Sequence, residues 1–241
     1  MNRKPNTSVG SYSFAEGNNT TASGVCSHAE GDNATASGNF SHAEGYETVA
    51  SGDSSHAEGK YTVTIGPSSH AEGNISFAIG SGSHAEGNLS IAVGTDSHVE
   101  GGMTGSMGIS NTITGAKNTK TYTYSGTLDT KVVVGSLIRV NNDFQPVKSI
   151  DTSAQTITLY NTLNPDADFI DQNISVVEPR AMGYASHAEG EGSKAQGRAA
   201  HTEGRYTIAN GDFSHAEGER TFANGLRSHA EGFDTIASGA E

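Results

Sequence analysis

Ser27-His28-Ala29-Glu30-Gly31-Asp32-Asn33-Ala34-Thr35-Ala36-Ser37-Gly38-Asn39-Phe40 is followed at once by Ser41-His42-Ala43-Glu44-Gly45, and that return after fourteen residues decides the fold. Outward from this stretch, Gly10 through Gly115 recur at every seventh residue without a gap. Gly183 through Gly239 do the same, so 25 of the 31 glycines keep one clock. Histidine falls on every second beat: His28, His42, His56, His70, His84 and His98, then His187, His201, His215 and His229. Self-similarity at a fixed period signals a solenoid, in which each unit buries its face only against its neighbours.

A seven-residue period also suits a coiled coil, but one glycine per heptad costs about 1 kcal/mol each in a helix. The period within each heptad is two. Ser27 and Ala29, Thr48 and Ala50, and Ser76 and Ala78 share one face of an extended segment, and the residues between them share the other. The small set points inward, where it lets two strands lie close together. Glycine supplies a positive φ or a tight approach at the corner. Each heptad is one short strand and one corner, and two heptads make a coil of fourteen residues.

The outward residues divide the strands into two kinds. One carries His and Glu, as in His56/Glu58 and His70/Glu72. The other carries an apolar ladder: Val49, Val63, Ile65, Phe77, Ile79, Ile91, Val93, Ile208, Phe222 and Ile236. A contiguous apolar stripe on a thin roll is an association surface, and a trimer about a common axis hides three equal stripes. These ten residues are the expected trimer interface.

The motif Ser-x-Ala-x-Gly at every seventh residue resembles the head domain of YadA-type trimeric autotransporter adhesins. The Ser-His-Ala-Glu-Gly form, as at Ser55–Gly59, Ser69–Gly73, Ser214–Gly218 and Ser228–Gly232, is similar to repeats in phage tail-fibre and tail-spike proteins. The matching stretches cover about two-thirds of the chain. The resemblance implies an all-β, left-handed parallel β-roll, assembled as a homotrimer on a virion or cell surface. It speaks to fold more than to function.

Composition agrees. With 33% hydrophobic residues and no Trp in 241 residues, one large globular core is excluded, whereas a roll filled with Ala, Ser and Thr needs none. A formal charge of −13 argues against a nucleic-acid partner. No run of eighteen apolar residues exists for membrane insertion, and the opening Met1-Asn2-Arg3-Lys4 lacks a following apolar run. That start favours a phage protein over a secreted adhesin. The single Cys26 makes no internal disulfide.

Along the chain, 1–9 is a polar lead-in, 10–115 the first part of the roll, and 183–241 the second. Between them, 116–182 loses the clock and carries β-type runs at 119–125, 131–140, 146–150, 155–160 and 174–177, broken by turn residues. This is a small antiparallel β-barrel or sandwich inserted into a continuous roll. Gly115 to Gly183 is one heptad plus 61 residues, so the order of strand types is kept, with Arg180 and Met182 facing outward. Roughly a dozen coils at about 4.8 Å make a rod on the order of 55 Å, with the insert projecting from its side.

Catalysis needs one arrangement, and here the His/Glu pair recurs ten times; no nucleophile elbow, His-Glu-x-x-His motif or phosphate loop is present. No catalytic residue, metal site or cofactor is assigned. The preferred reading of the ladder is structural, with stacked His and Glu columns compensating each other at about 0.2–1 kcal/mol per pair. The alternative is metal or anion binding: if the ten histidines face the three-fold axis, three copies of one ring converge there, and neutral imidazole is a ligand for Zn, Ni or Fe. Three function classes follow: a structural and receptor-binding segment of a phage tail fibre, a cell-surface trimeric adhesin, and a polysaccharide-degrading tail spike. Tyr122, Tyr124, Phe144 and Tyr160 in the insert are the candidate contacts with a host glycan or protein, and other fibre proteins are expected at the rod ends.

Overall fold

The computed structural model describes residues 9–102, 107–140, 143–160, 163, 169–178 and 180–239, and among them it is all-β. The chain divides into two compact units, 1–104 with 180–241, and 105–179.

The first unit is the roll. Its long strands, from Phe14–Asn18 and His28–Asp32 through His229–Phe233, form one eleven-stranded parallel sheet. On either side of the insertion each pairs with the strand fourteen residues on, in strict register: His28 with His42, Ala29 with Ala43, Glu30 with Glu44. Phe14 takes the histidine position of the first coil, opposite His28. The short strands, such as Thr35–Ala36 and Val49–Ala50, stack on the opposite side in the same way.

The inward residues are as small as the period requires. Ala29, Ala36, Ala43 and Ala50 are fully buried, and beyond the buried Thr64 a second cluster of inward alanines runs from Ala71 to Ala230. The inward serine of each long strand does more than fill space. Ser41 Oγ donates to Gly38 O at 2.7 Å and Ser83 Oγ to Gly80 O at 2.7 Å, so the hydroxyl closes the corner that precedes its own strand.

Alternate clock glycines need a positive φ as well as space: Gly31 and Gly45 have φ of 113° and 115°, and a Cβ on either would strike the next coil's backbone. At Gly24 the backbone is ordinary, yet a Cβ would fall inside the carbonyl of Gly38 one coil away. The left-handed corner residue is instead the one two positions later, where Cys26 and Phe40 have φ of 55° and 57°. Non-glycine residues rarely adopt this conformation, at a cost of about 1 kcal/mol or more each. Here it is offset by stacking, because Cys26 N donates to Ser11 O at 2.9 Å and Phe40 N to Val25 O at 2.8 Å. The hydrogen-bond ladder therefore continues around the corner, which leaves few backbone groups orphaned.

The insertion begins earlier than the glycine clock implies. His98 pairs with His187 and Val99 with Ala188, while Ala181 bridges Ala92 on one side and Ala195 on the other. His98 and His187 are 89 positions apart instead of 14, and the extra 75 residues are the length of 105–179. The phase is preserved, but Gly108 and Gly115 belong to strand Met107–Gly115 of the second unit. Their seven-residue spacing continues the clock without the strand continuing the roll.

That second unit is a closed antiparallel barrel. Its strands run in the order Met107–Gly115, Thr121–Tyr124, Thr156–Leu159, Asp143–Asp151, Leu137–Val140 and Phe169–Val177, which returns to the first. Ile113, Ile138, Val140, Val147, Ile157, Leu159 and Val176 fill its core. The run at 131–140 is strand only over Leu137–Val140. Before it, Ser136 Oγ donates to Lys131 O and accepts from Val133 N, which makes a turn of the segment that precedes Gly135 at φ 91°.

Candidate functional site

The alternation of each long strand puts His and Glu on its outer face, two residues apart and side by side. Parallel register then stacks each kind in a column. Successive imidazoles from His28 to His98 lie 4.7–4.9 Å apart between centroids and within 10° of parallel. The stack crosses the insertion without a break, because His98 and His187 rings are 4.6 Å apart and 7° from parallel. It ends in tilted pairs, Phe14 with His28 at 46° and His215 with His229 at 54°.

Within a strand, His42 Nε2 lies 3.6 Å from Glu44 Oε2, and His84 Nε2 3.7 Å from Glu86 Oε2. These separations exceed a hydrogen bond. The rings are about one-third exposed, yet Nε2 is itself covered and without a hydrogen-bond partner from His28 to His215. Burial, followed by the neighbouring imidazoles, lowers the pKa values of His42, His84 and His98; the glutamates oppose this with smaller effects. His187 and His215 are lowered for the same reasons. These five rings are thus biased towards neutral imidazole, and charge compensation by the glutamates is the weaker influence on them.

On the short-strand face the ten ladder residues divide. Val63, Phe77 and Ile91 are already buried within the single chain, at 7%, 2% and 0% exposure, and have little left to bury against a partner. Val49, Ile65, Ile79, Val93, Ile208 and Phe222 are part-exposed, and Ile236 is 67% exposed.

Arg180 departs from the alternation. It occupies the outward position between Ile91 and Lys194, but its side chain is fully buried. Nε donates to Ser193 O at 3.0 Å, Nη1 to Glu100 O at 3.0 Å and Nη2 to Gly190 O at 2.6 Å. In the preceding coil, Ser90 Oγ bonds the carbonyls of Glu86 and Gly101, which are the equivalents of Glu100 and Gly190. The sequence has Pro179 where that coil has Ser90, so no hydroxyl is present and the guanidinium takes over its two bonds. Burial lowers the pKa of Arg180 to about 10, which leaves it charged at neutral pH. The signal in the sequence is Pro179 in the place of Ser90, directly before an arginine in the ladder column.

In the barrel, Tyr122 and Tyr124 are core residues, not exposed contacts. Tyr122 is fully buried; its hydroxyl donates to Thr119 O at 2.9 Å and accepts from Leu163 N at 3.1 Å. The alternation of Thr121–Tyr124 turns both tyrosines to the same, inner face. The side chain of Phe144 lies outside the described residues. Tyr160 is part-exposed, with Lys148 Nζ 6.0 Å from its ring centroid and Lys120 Nζ donating to its carbonyl at 2.9 Å. Aromatic exposure is greater on the corners of the roll, where Tyr12 is 92% and Phe40 65% exposed.

The family profile of the YadA head domain repeat matches overlapping windows that together span residues 15–97 and 203–228, just under half of the chain. The matched windows begin and end within the coils of the roll and leave out the barrel. Among curated proteins, none matches this chain.

Proposed function

We propose that this chain, whose roll is built from YadA head repeats over residues 15–97 and 203–228, is a non-enzymatic, receptor-binding segment of a homotrimeric attachment fibre. The roll is of the adhesin type. The observation that carries the trimer is the short-strand face, where Ile65, Ile79 and Ile208 remain part-exposed on stacked strands. Three such faces around an axis would remove them from water, at about 25 cal/mol per Å² buried. The absence of an enzymatic role is supported by the repetition of the carboxylates: Glu44, Glu58 and Glu72 stand in equivalent surroundings, so none is singled out as an acid or base.

The Ser-His-Ala-Glu-Gly form of the repeat supports placement on a phage tail fibre attached to a host surface. The YadA match supports a second reading, an adhesin on a bacterial cell surface. No helix among the described residues is long and apolar enough to cross a membrane. Antibody against the barrel distinguishes the two by labelling phage particles or intact cells.

Ile79→Asp with Ile208→Asp tests the trimer. Both side chains are part-exposed, so the roll itself tolerates the change, unlike substitution of the buried Ile91. The pair is expected to convert a trimer to monomer by light scattering, weakening assembly at least a hundredfold. A trimer of unchanged mass would take the short-strand face out of the interface.

A further inference from the structure

The column of histidines leaves a chemical question that stacking does not answer. In nine coils, from His28 to His215, the ring nitrogen Nε2 is covered and has no hydrogen-bond partner. Buried polar nitrogens are ordinarily paired, and a periodic exception calls for a missing partner. Because each Nε2 is already shielded within its own chain, a bulky group from another subunit does not reach it without displacing the rings. A small ion does.

We propose that the long-strand face binds divalent transition-metal ions of the zinc class between successive coils, each ion held by two stacked histidines and one glutamate. The ligand atoms of His42, Glu44 and His56 lie within 4.8 Å of one another, and the same holds for His56, Glu58 and His70 and for the triads that follow. One triad, His98, Glu100 and His187, joins coils on either side of the insertion. A tetrahedral ion with ligands at about 2.1 Å sets them about 3.4 Å apart. The His–Glu separations of 3.6–3.8 Å are nearly there. The second imidazole closes the remainder by tilting, as His229 already tilts 54° from His215. Neutral imidazole offers one nitrogen lone pair, and the mixed N,N,O set selects zinc, nickel, cobalt or copper over magnesium or calcium. Water completes the coordination.

The stack also limits occupancy. Each Nε2 has one lone pair, and neighbouring triads share a histidine, so filling one gap removes both adjoining ones. Ions therefore occupy alternate gaps, and the ten histidines bind no more than five ions per chain. Filling ties coils together in pairs and stabilises the roll by linkage.

Equilibrium dialysis of the full chain, stripped with chelator and then exposed to zinc chloride, is read by elemental analysis beside a magnesium control. The expected result is two to five zinc ions per chain and no retained magnesium. The decisive variant replaces every second histidine: His42→Gln, His70→Gln, His98→Gln, His201→Gln and His229→Gln. No gap then keeps two histidines, and zinc affinity is expected to fall at least tenfold. Retention of half the zinc would show single-histidine binding and overturn the shared site. So would one ion per histidine in the parent protein, or no zinc at 100 times the protein concentration. Should the variant fail to fold, cobalt uptake by the parent decides instead. An intense tetrahedral visible spectrum that saturates by five equivalents supports the site, and a weak octahedral spectrum overturns it.

Discussion

Replacing Arg180 by alanine is expected to destabilise the roll by about 3 kcal/mol and lower its melting temperature by roughly 10 °C. The substitution removes a buried cation together with its bonds to the carbonyls of Ser193, Glu100 and Gly190. Water cannot replace a side chain that is fully enclosed without opening the coil, so those acceptors lose partners at about 1–3 kcal/mol for the worst placed of them. Lysine does not rescue, since one ammonium cannot span three carbonyls fixed in different directions. The double change Pro179→Ser with Arg180→Ile should rescue, because it restores the Ser90-Ile91 pair of the coil before. A melting temperature unchanged in Arg180→Ala, read by circular dichroism, would show that the guanidinium is not needed where the chain rejoins the roll.

Acid is expected to have the second large effect, with stability falling as pH drops below about 6.5. Folding holds the pKa values of His42, His84, His98, His187 and His215 below the ordinary 6.5, chiefly through burial and next through neighbouring imidazoles. Above 6.5 both folded and unfolded chains are neutral at these sites, and their contribution is complete. As pH falls through the unfolded value, the unfolded chain takes up protons first, and stability is lost until the folded pKa values are passed. Glu30, Glu44, Glu72, Glu86, Glu100, Glu189, Glu203 and Glu217 face these rings and reduce the effect without reversing it. Urea midpoints of the metal-free protein should therefore decline between pH 7 and 5, and His84→Gln with His98→Gln should flatten that decline. A midpoint that is level or rises towards pH 5 would contradict the assignment of neutral rings.

Much of this architecture is legible in the sequence because the solenoid repeats its physics. One coil read correctly predicts the rest: Ala29 buried, His28 over His42, Val49 beside Val63. The errors lie where repetition stops. Gly108 and Gly115 keep the spacing of the clock but sit in a barrel strand, since spacing alone does not say what a strand pairs with. Arg180 obeys the alternation in its backbone, and only the missing hydroxyl at the preceding position explains why its side chain turns inward. Tyr122 and Tyr124 on a short strand suit either a core or a contact surface, and the closure of the barrel gives them an interior. The left-handed corners fall to residues such as Cys26 and Phe40, which carry no propensity for them, because cross-coil hydrogen bonds outweigh local preference.

Coils on either side of the barrel stack as direct neighbours, and the continuity of the core and of the histidine column follows from that pairing. Asp96 and Ala185 occupy equivalent corners of those two coils, and Ala185 N donates to Thr95 O at 2.8 Å. Adjacent coils are about 4.8 Å apart, within the range a disulfide bridges. In a Cys26→Ser background, Asp96→Cys with Ala185→Cys is expected to form an intrachain disulfide under mild oxidation, as fast as Ser54→Cys with Ser68→Cys in uninterrupted coils. Free thiols at 96 and 185, or only interchain bridges, while the control pair closes, would contradict the continuous roll.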